Sequence, residues 1–244
     1  MQNQYDPRTT TQGFGPAISV GVPRAARDAG LRSYMLKVYN YMASGVLLTG
    51  IVAMLFASSG FAAQVMATPL RWLIIFSPLA FVMIMSFGMN RLSTAALQGL
   101  FWAFATVMGL SMSTIFLVFT GTSIAQTFFA VAAAFLGLSL WGYTTKKDLS
   151  GFGTFLIMGV VGLFVAMLIN LFVQSTAFHL AISAIGVLLF AGLTAYDTQK
   201  IKSMYEYVRG TDMMGKVVIM GALNLYLDFI NMFLFLLRFM GDRR

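Results

Sequence analysis

Long apolar runs separated by short polar breaks dominate the chain. A bilayer core of about 30 Å is crossed by about 20 residues of apolar helix. Seven stretches reach that length: 33–57, 70–89, 94–119, 125–145, 152–173, 180–201 and 216–239. The breaks are short pieces such as NRLS, TGTSIA, KKDLSG and QSTAFH, and only 202–215 has real length and mixed charge. No break is long enough to hold a soluble domain. The pattern therefore predicts an all-α, polytopic membrane protein: a seven-transmembrane-helix bundle over 33–240, preceded by a tail over 1–32.

The tail is polar, rich in Gly, Pro, Thr and Arg, and carries no apolar core after a charged start. It reads as a disordered cytoplasmic tail rather than a cleaved signal peptide, with the first hydrophobic helix as the targeting signal.

Composition agrees. The 244 residues are 59% hydrophobic and 10% charged, with a net charge of +8, where soluble domains carry about 25% charged residues. In such a chain a basic excess sets topology, and no basic groove with interleaved aromatics points to nucleic acid. With the N-terminus cytoplasmic, twelve Lys and Arg fall on that side (Arg8, Arg24, Arg27, Arg32, Lys37, Arg91, Lys146, Lys147, Lys200, Lys202, Arg209, Lys216) and four on the other (Arg71, Arg238, Arg243, Arg244). The basic C-terminus RFMGDRR is the misfit: it lands outside if the last segment crosses, and inside if that segment is re-entrant. There are no cysteines, which excludes disulfides, zinc thiolates and thiol catalysis. The one histidine, His179, falls between two apolar segments and reads as an interfacial loop residue. Small residues such as Gly186, Gly192, Ala103 and Gly109 read as close helix packing, and no internal repeat supports an inverted-repeat transporter.

Two carboxylates stand against this background. Asp197, in FAGLTAYDTQKIK, and Asp228, in NLYLDFINMFLFLL, lie in or against apolar runs, where a charge costs at least ~2.5–3.5 kcal/mol. Asn224, Asp228 and Asn231 are spaced i, i+4, i+7 on one face of the last segment. An interhelical hydrogen-bonding role accounts for the two asparagines but poorly for Asp228, since asparagine would serve at lower cost. On the sixth segment Tyr196 and Asp197 sit in a polar knot just before Lys200 and Lys202, so Asp197 either reaches the interface beside a lysine or faces the bundle. The two segments are consecutive and so predicted to be antiparallel neighbours. Two close carboxylates in a low-dielectric site do not both ionise readily and titrate as a coupled pair. Deprotonated, they offer hard oxygen ligands to Ca²⁺, but two fall short of the 6–8 of a tight site, so any metal binding is weak or transient. Arg91, at the end of the second segment, reads either as a topology residue or as a cation that latches one of the acids.

AYDTQKI followed by LYLDFINMFLFLLRF resembles the Bax inhibitor-1 (TMBIM) family, bacterial type, across 33–239. The resemblance implies a seven-helix fold with a central last helix and a pH-sensitive calcium leak. It also implies that Asp197 and Asp228 form the pH sensor and gate and that Arg91 is the latch. Asn224, Asn231 and Tyr196 are the supporting polar residues of this reading. The expected function is thus a calcium (cation) leak channel and not an enzyme, with no cofactor, with Ca²⁺ as permeant or weakly bound ion, and with lipid, calcium ions and protons as partners. The expected place is a bacterial inner membrane. Alternatives are a regulatory membrane protein acting through protein partners, a proton-coupled transporter, and an intramembrane aspartyl protease. The protease reading has Tyr196-Asp197 but lacks the glycines expected before Asp228.

Overall fold

The computed structural model of the protein describes residues 24–243. They form α1 (Arg24–Ser58), α2 (Phe61–Met66), α3 (Leu70–Gly88), α4 (Thr94–Met112), α5 (Thr114–Val118), α6 (Gly121–Thr144), α7 (Ser150–Val173), α8 (Thr176–Val208) and α9 (Met213–Met240). Among the described residues, β structure is limited to one isolated antiparallel bridge, Phe119 to Arg243. Seven helical spans are long and apolar enough to cross a membrane, α4 and α5 together making one of them.

The segment boundaries hold with four corrections. First, α1 begins at Arg24, inside the expected tail; the rest of that tail lies outside the described residues. Second, the 94–119 segment breaks at Ser113. The hydroxyls of Ser113 and Thr114 donate to the carbonyls of Leu110 and Ser111, and such back-bonding competes with the regular ladder. Third, His179 is not in a loop. α8 starts at Thr176, capped by the Ser175 hydroxyl, which accepts from the Phe178 amide, so His179 lies in its first turn. Fourth, most of the expected long 202–215 break is helix. α8 runs to Val208 because Ile201, Tyr205 and Val208, spaced i, i+4, i+7, stay on the buried face. The Tyr205 ring packs 5.4 Å from that of Tyr34.

α9 is the axis of the bundle. Of its most apolar stretch 72% is buried, against 11–39% in the other six spans, and α1, α4, α6 and α8 pack around it. Its core face includes Tyr226, Phe229, Met232 and Phe233. Tyr226 also closes a buried polar contact: its hydroxyl lies 2.6 Å from Thr49 Oγ1, which donates to the Ala105 carbonyl at 2.8 Å. This joins α9, α1 and α4 with their polar groups satisfied, as a low-dielectric interior requires.

α9 is also one unbroken helix of 28 residues, about 42 Å long at 1.5 Å per residue. At its far end the Thr120 amide donates to the Asp242 carbonyl, and the Asp242 amide donates to Ser123 Oγ. The C-terminal residues therefore meet the start of α6, while the α6–α7 link lies at the opposite end of α6. The re-entrant alternative is thereby removed for this fold.

Candidate functional site

α8 and α9 form the most extensive helix pair in the bundle, and their register is readable from two contacts. The Phe190 and Phe235 rings stack 5.8 Å apart. Nearer the other end, Ile201 lies against Gly221, where a Cβ would sit 3.3 Å from its side chain. Asp197 is seven residues after Phe190, and Asp228 seven residues before Phe235. Seven residues make two turns and return to the same face within about 20°. The antiparallel seam that stacks the two phenylalanines thus brings the two aspartates opposite one another, and their carboxylates act on each other electrostatically.

The two acids differ in surroundings. Asp228 is 4% exposed, and its Oδ2 is buried without a hydrogen-bond partner among the described residues. Most buried polar atoms are paired, so an unpaired carboxylate oxygen on the central helix calls for a functional reason. Asp197 is half-buried. Lys200, one turn further on, attracts it, but the Lys200 ammonium lies over the Tyr196 ring, 5.8 Å from its centre.

Two of the supporting polar residues, Tyr196 and Asn231, make contacts away from the pair. Tyr196 packs its ring over Gly153 of α7, where a Cβ would collide with it. Asn231 donates from Nδ2 to the Leu227 carbonyl of its own helix at 2.8 Å, not across to a neighbour as the hydrogen-bonding expectation had it. Its position one turn before the buried Phe235 leaves it half-buried. Asn224 is half-buried as well.

Thr198 and Gln199 have roles that their sequence context did not reveal. Thr198 is fully buried, and its hydroxyl lies 2.9 Å from Ser139 Oγ on α6; Ser139 in turn lies 2.6 Å from the Tyr39 hydroxyl on α1. Gln199 clamps the α6–α7 link from both sides. Its Oε1 accepts from the Leu149 amide and its Nε2 donates to the Lys147 carbonyl, both at 2.8 Å. Only the run TQ after YD hinted at either. In the same link the Ser150 amide donates to Asp148 at 2.9 Å, and hydrogen bonds from Ser150 hold the Asp148 carboxyl below its usual range.

Arg91 lies in the α3–α4 link, exposed, and forms no ion pair among the described residues. It shares an end of the bundle with the clamp: the starts of α4 and α9 meet at Thr94 and Gly215, and the start of α9 follows the end of α8. At the other end the arginines sit on aromatic rings, Arg71 on Trp72, Arg238 on Phe235 and Arg243 on Phe119, at 5.0–5.9 Å. Of these rings only Trp72 is exposed, the arrangement expected of an anchor at a membrane interface. Among the described residues no three acids or histidines come together as a metal cluster.

Comparison with known proteins agrees with this architecture. The chain is 48% identical to an uncharacterised protein of Rickettsia prowazekii over 219 residues, covering 89% of this chain and 92% of that one. It is 46% identical to the inner membrane protein YbhL of Escherichia coli (strain K12) over 235 residues, covering 95% and 99%. An uncharacterised membrane protein of Streptococcus pyogenes is 36% identical over 218 residues, covering 88% and 94%. Residues 31–244 match the family described as inhibitor of apoptosis-promoting Bax1. The chain is therefore a polytopic membrane protein that belongs to the Bax inhibitor-1 (TMBIM) family.

Proposed function

We propose that the protein is a non-enzymatic, pH-sensitive calcium (cation) leak channel of a bacterial inner membrane, gated by Asp197 and Asp228. The observation that carries this reading is the unpartnered Asp228 Oδ2, buried on the central helix across the α8–α9 seam from Asp197. A proton shared by two facing carboxylates ties their helices together. Its loss leaves two like charges in low dielectric, which repel and favour separation. A cation entering the opened seam meets two oxygen ligands, enough to pass it on and too few to hold it. Arg91 would act in a second state: without an ion pair among the described residues in the present one, it pairs with an acid when the end of the bundle that carries it closes. By the charge rule that end is cytoplasmic.

The test is Ca²⁺ flux into proteoliposomes across a pH series. Asp197→Asn and Asp228→Asn each remove one titrating partner and keep size and hydrogen-bonding capacity. Each is expected to flatten the pH dependence of the flux. Two mutants with the full wild-type profile would exclude the pair as sensor and favour a protein that acts through partners.

A further inference from the structure

The bundle is open on one side. α1 packs on α4 and α9, α6 packs on α8 and α9, and α1 and α6 barely approach each other. Between them runs a cleft of about 350 Å³. Its walls are Met35 and Leu36 on one helix and Leu136 and Leu140 on the other; Arg32 and Tyr143 stand at one end of it. The gap is spanned by the contact of Tyr39 with Ser139, which is held from behind by Thr198. Because these hydroxyls satisfy one another, a hydrocarbon laid on them strands no polar group.

Charge narrows the occupant. Arg32 is exposed at the charged end of the trough and forms no ion pair among the described residues, and no acid lines the cleft. A guanidinium above an apolar trough matches a phosphate ester above an acyl chain, since its planar fork binds phosphate oxygens in pairs. Both walls belong to spanning helices, so the trough opens onto lipid.

We propose that the α1–α6 cleft is a phospholipid site, with the phosphate on Arg32 and one acyl chain between Leu36 and Leu140. The test uses the full-length protein in nanodiscs doped with phosphatidylglycerol that carries a diazirine in its acyl chain. After illumination, label is mapped by mass spectrometry. Leu36 and Leu140 are expected to carry about tenfold more label than Leu73 and Phe76 on lipid-facing α3, the ratio that one charged hydrogen-bonding contact supports. Arg32→Gln should return the cleft to the α3 level, and Arg71→Gln at the opposite end should not. Leu140→Trp, at a position 64% exposed, fills the trough without touching core or charge and should also abolish the excess. Label in the cleft equal to that on α3, or unchanged in Arg32→Gln and Leu140→Trp, would overturn the proposal. So would loss of label on adding inorganic phosphate, which would make this a site for a free anion.

Discussion

Gly142 and Gly162 both sit inside spanning helices with opposite consequences. At Gly142 the backbone of α6 rides directly on Ala195 of α8, and a Cβ would strike the Ala195 carbonyl. At Gly162 of α7 nothing lies within 4 Å of where a Cβ would go. Gly142→Ala should destabilise the folded protein by about 1–3 kcal/mol, the usual cost of overpacking. Gly162→Ala should be neutral or stabilise by up to about 1 kcal/mol, by limiting backbone freedom. Thermal unfolding in detergent distinguishes them; equal effects would mean that the α6–α8 approach is looser than its geometry. Nothing in the local sequence separates these glycines, because the difference lies in the helix opposite. Asp228 is the reverse case: its apolar neighbours on both sides already announced a buried acid.

At the scale of elements, the α6–α7 link shows how little of a contact's worth lies in composition. KKDLSG reads as a solvated, topology-setting turn. Gln199 holds it at two points, so the link is fastened to α8 two residues beyond Asp197. Gln199→Leu removes both bonds and leaves the buried Leu149 without its amide partner. The free energy of local opening should fall by about 1–3 kcal/mol. Hydrogen exchange at the Leu149 amide should speed up accordingly, while amides in the middle of α6 keep their protection. Unchanged exchange at Leu149 would show that the clamp contributes nothing. The extension of α8 to Val208 was hidden for a related reason. Lys202 and Glu206 make the stretch look like a loop, and the packing of Tyr205 on Tyr34 of α1 favours its continuing as helix.

For the whole molecule, the odd number of spans and the meeting of the C-terminal residues with the start of α6 predict opposite sides for two sets of positions. Since the native chain has no thiols, single cysteines report without background. Asp148→Cys should be labelled only from the cytoplasmic side, as the twelve-to-four distribution of Lys and Arg requires. Thr122→Cys and Arg243→Cys should be labelled together, from the other side. Labelling of all three from one side would contradict the bundle, and exchange of the two sides would contradict only the charge rule.

The seven spans were legible from sequence because lipid imposes one requirement on every helix, about 20 apolar residues in a row, whatever its neighbours. The two acids were legible for the same reason, as costly exceptions to it, and YDTQ with LYLDFIN was enough to point to the family. What faces what was decided only by the tertiary structure. Apolar helices in lipid gain nothing from burial as such, so their partners are chosen by close backbone approach and hydrogen bonds. The stacking of Phe190 on Phe235 sets the register of the two aspartates, the roles of Thr198 and Gln199 depend on α6 and its link, and the α1–α6 cleft exists because two helices that pack on the same core do not pack on each other.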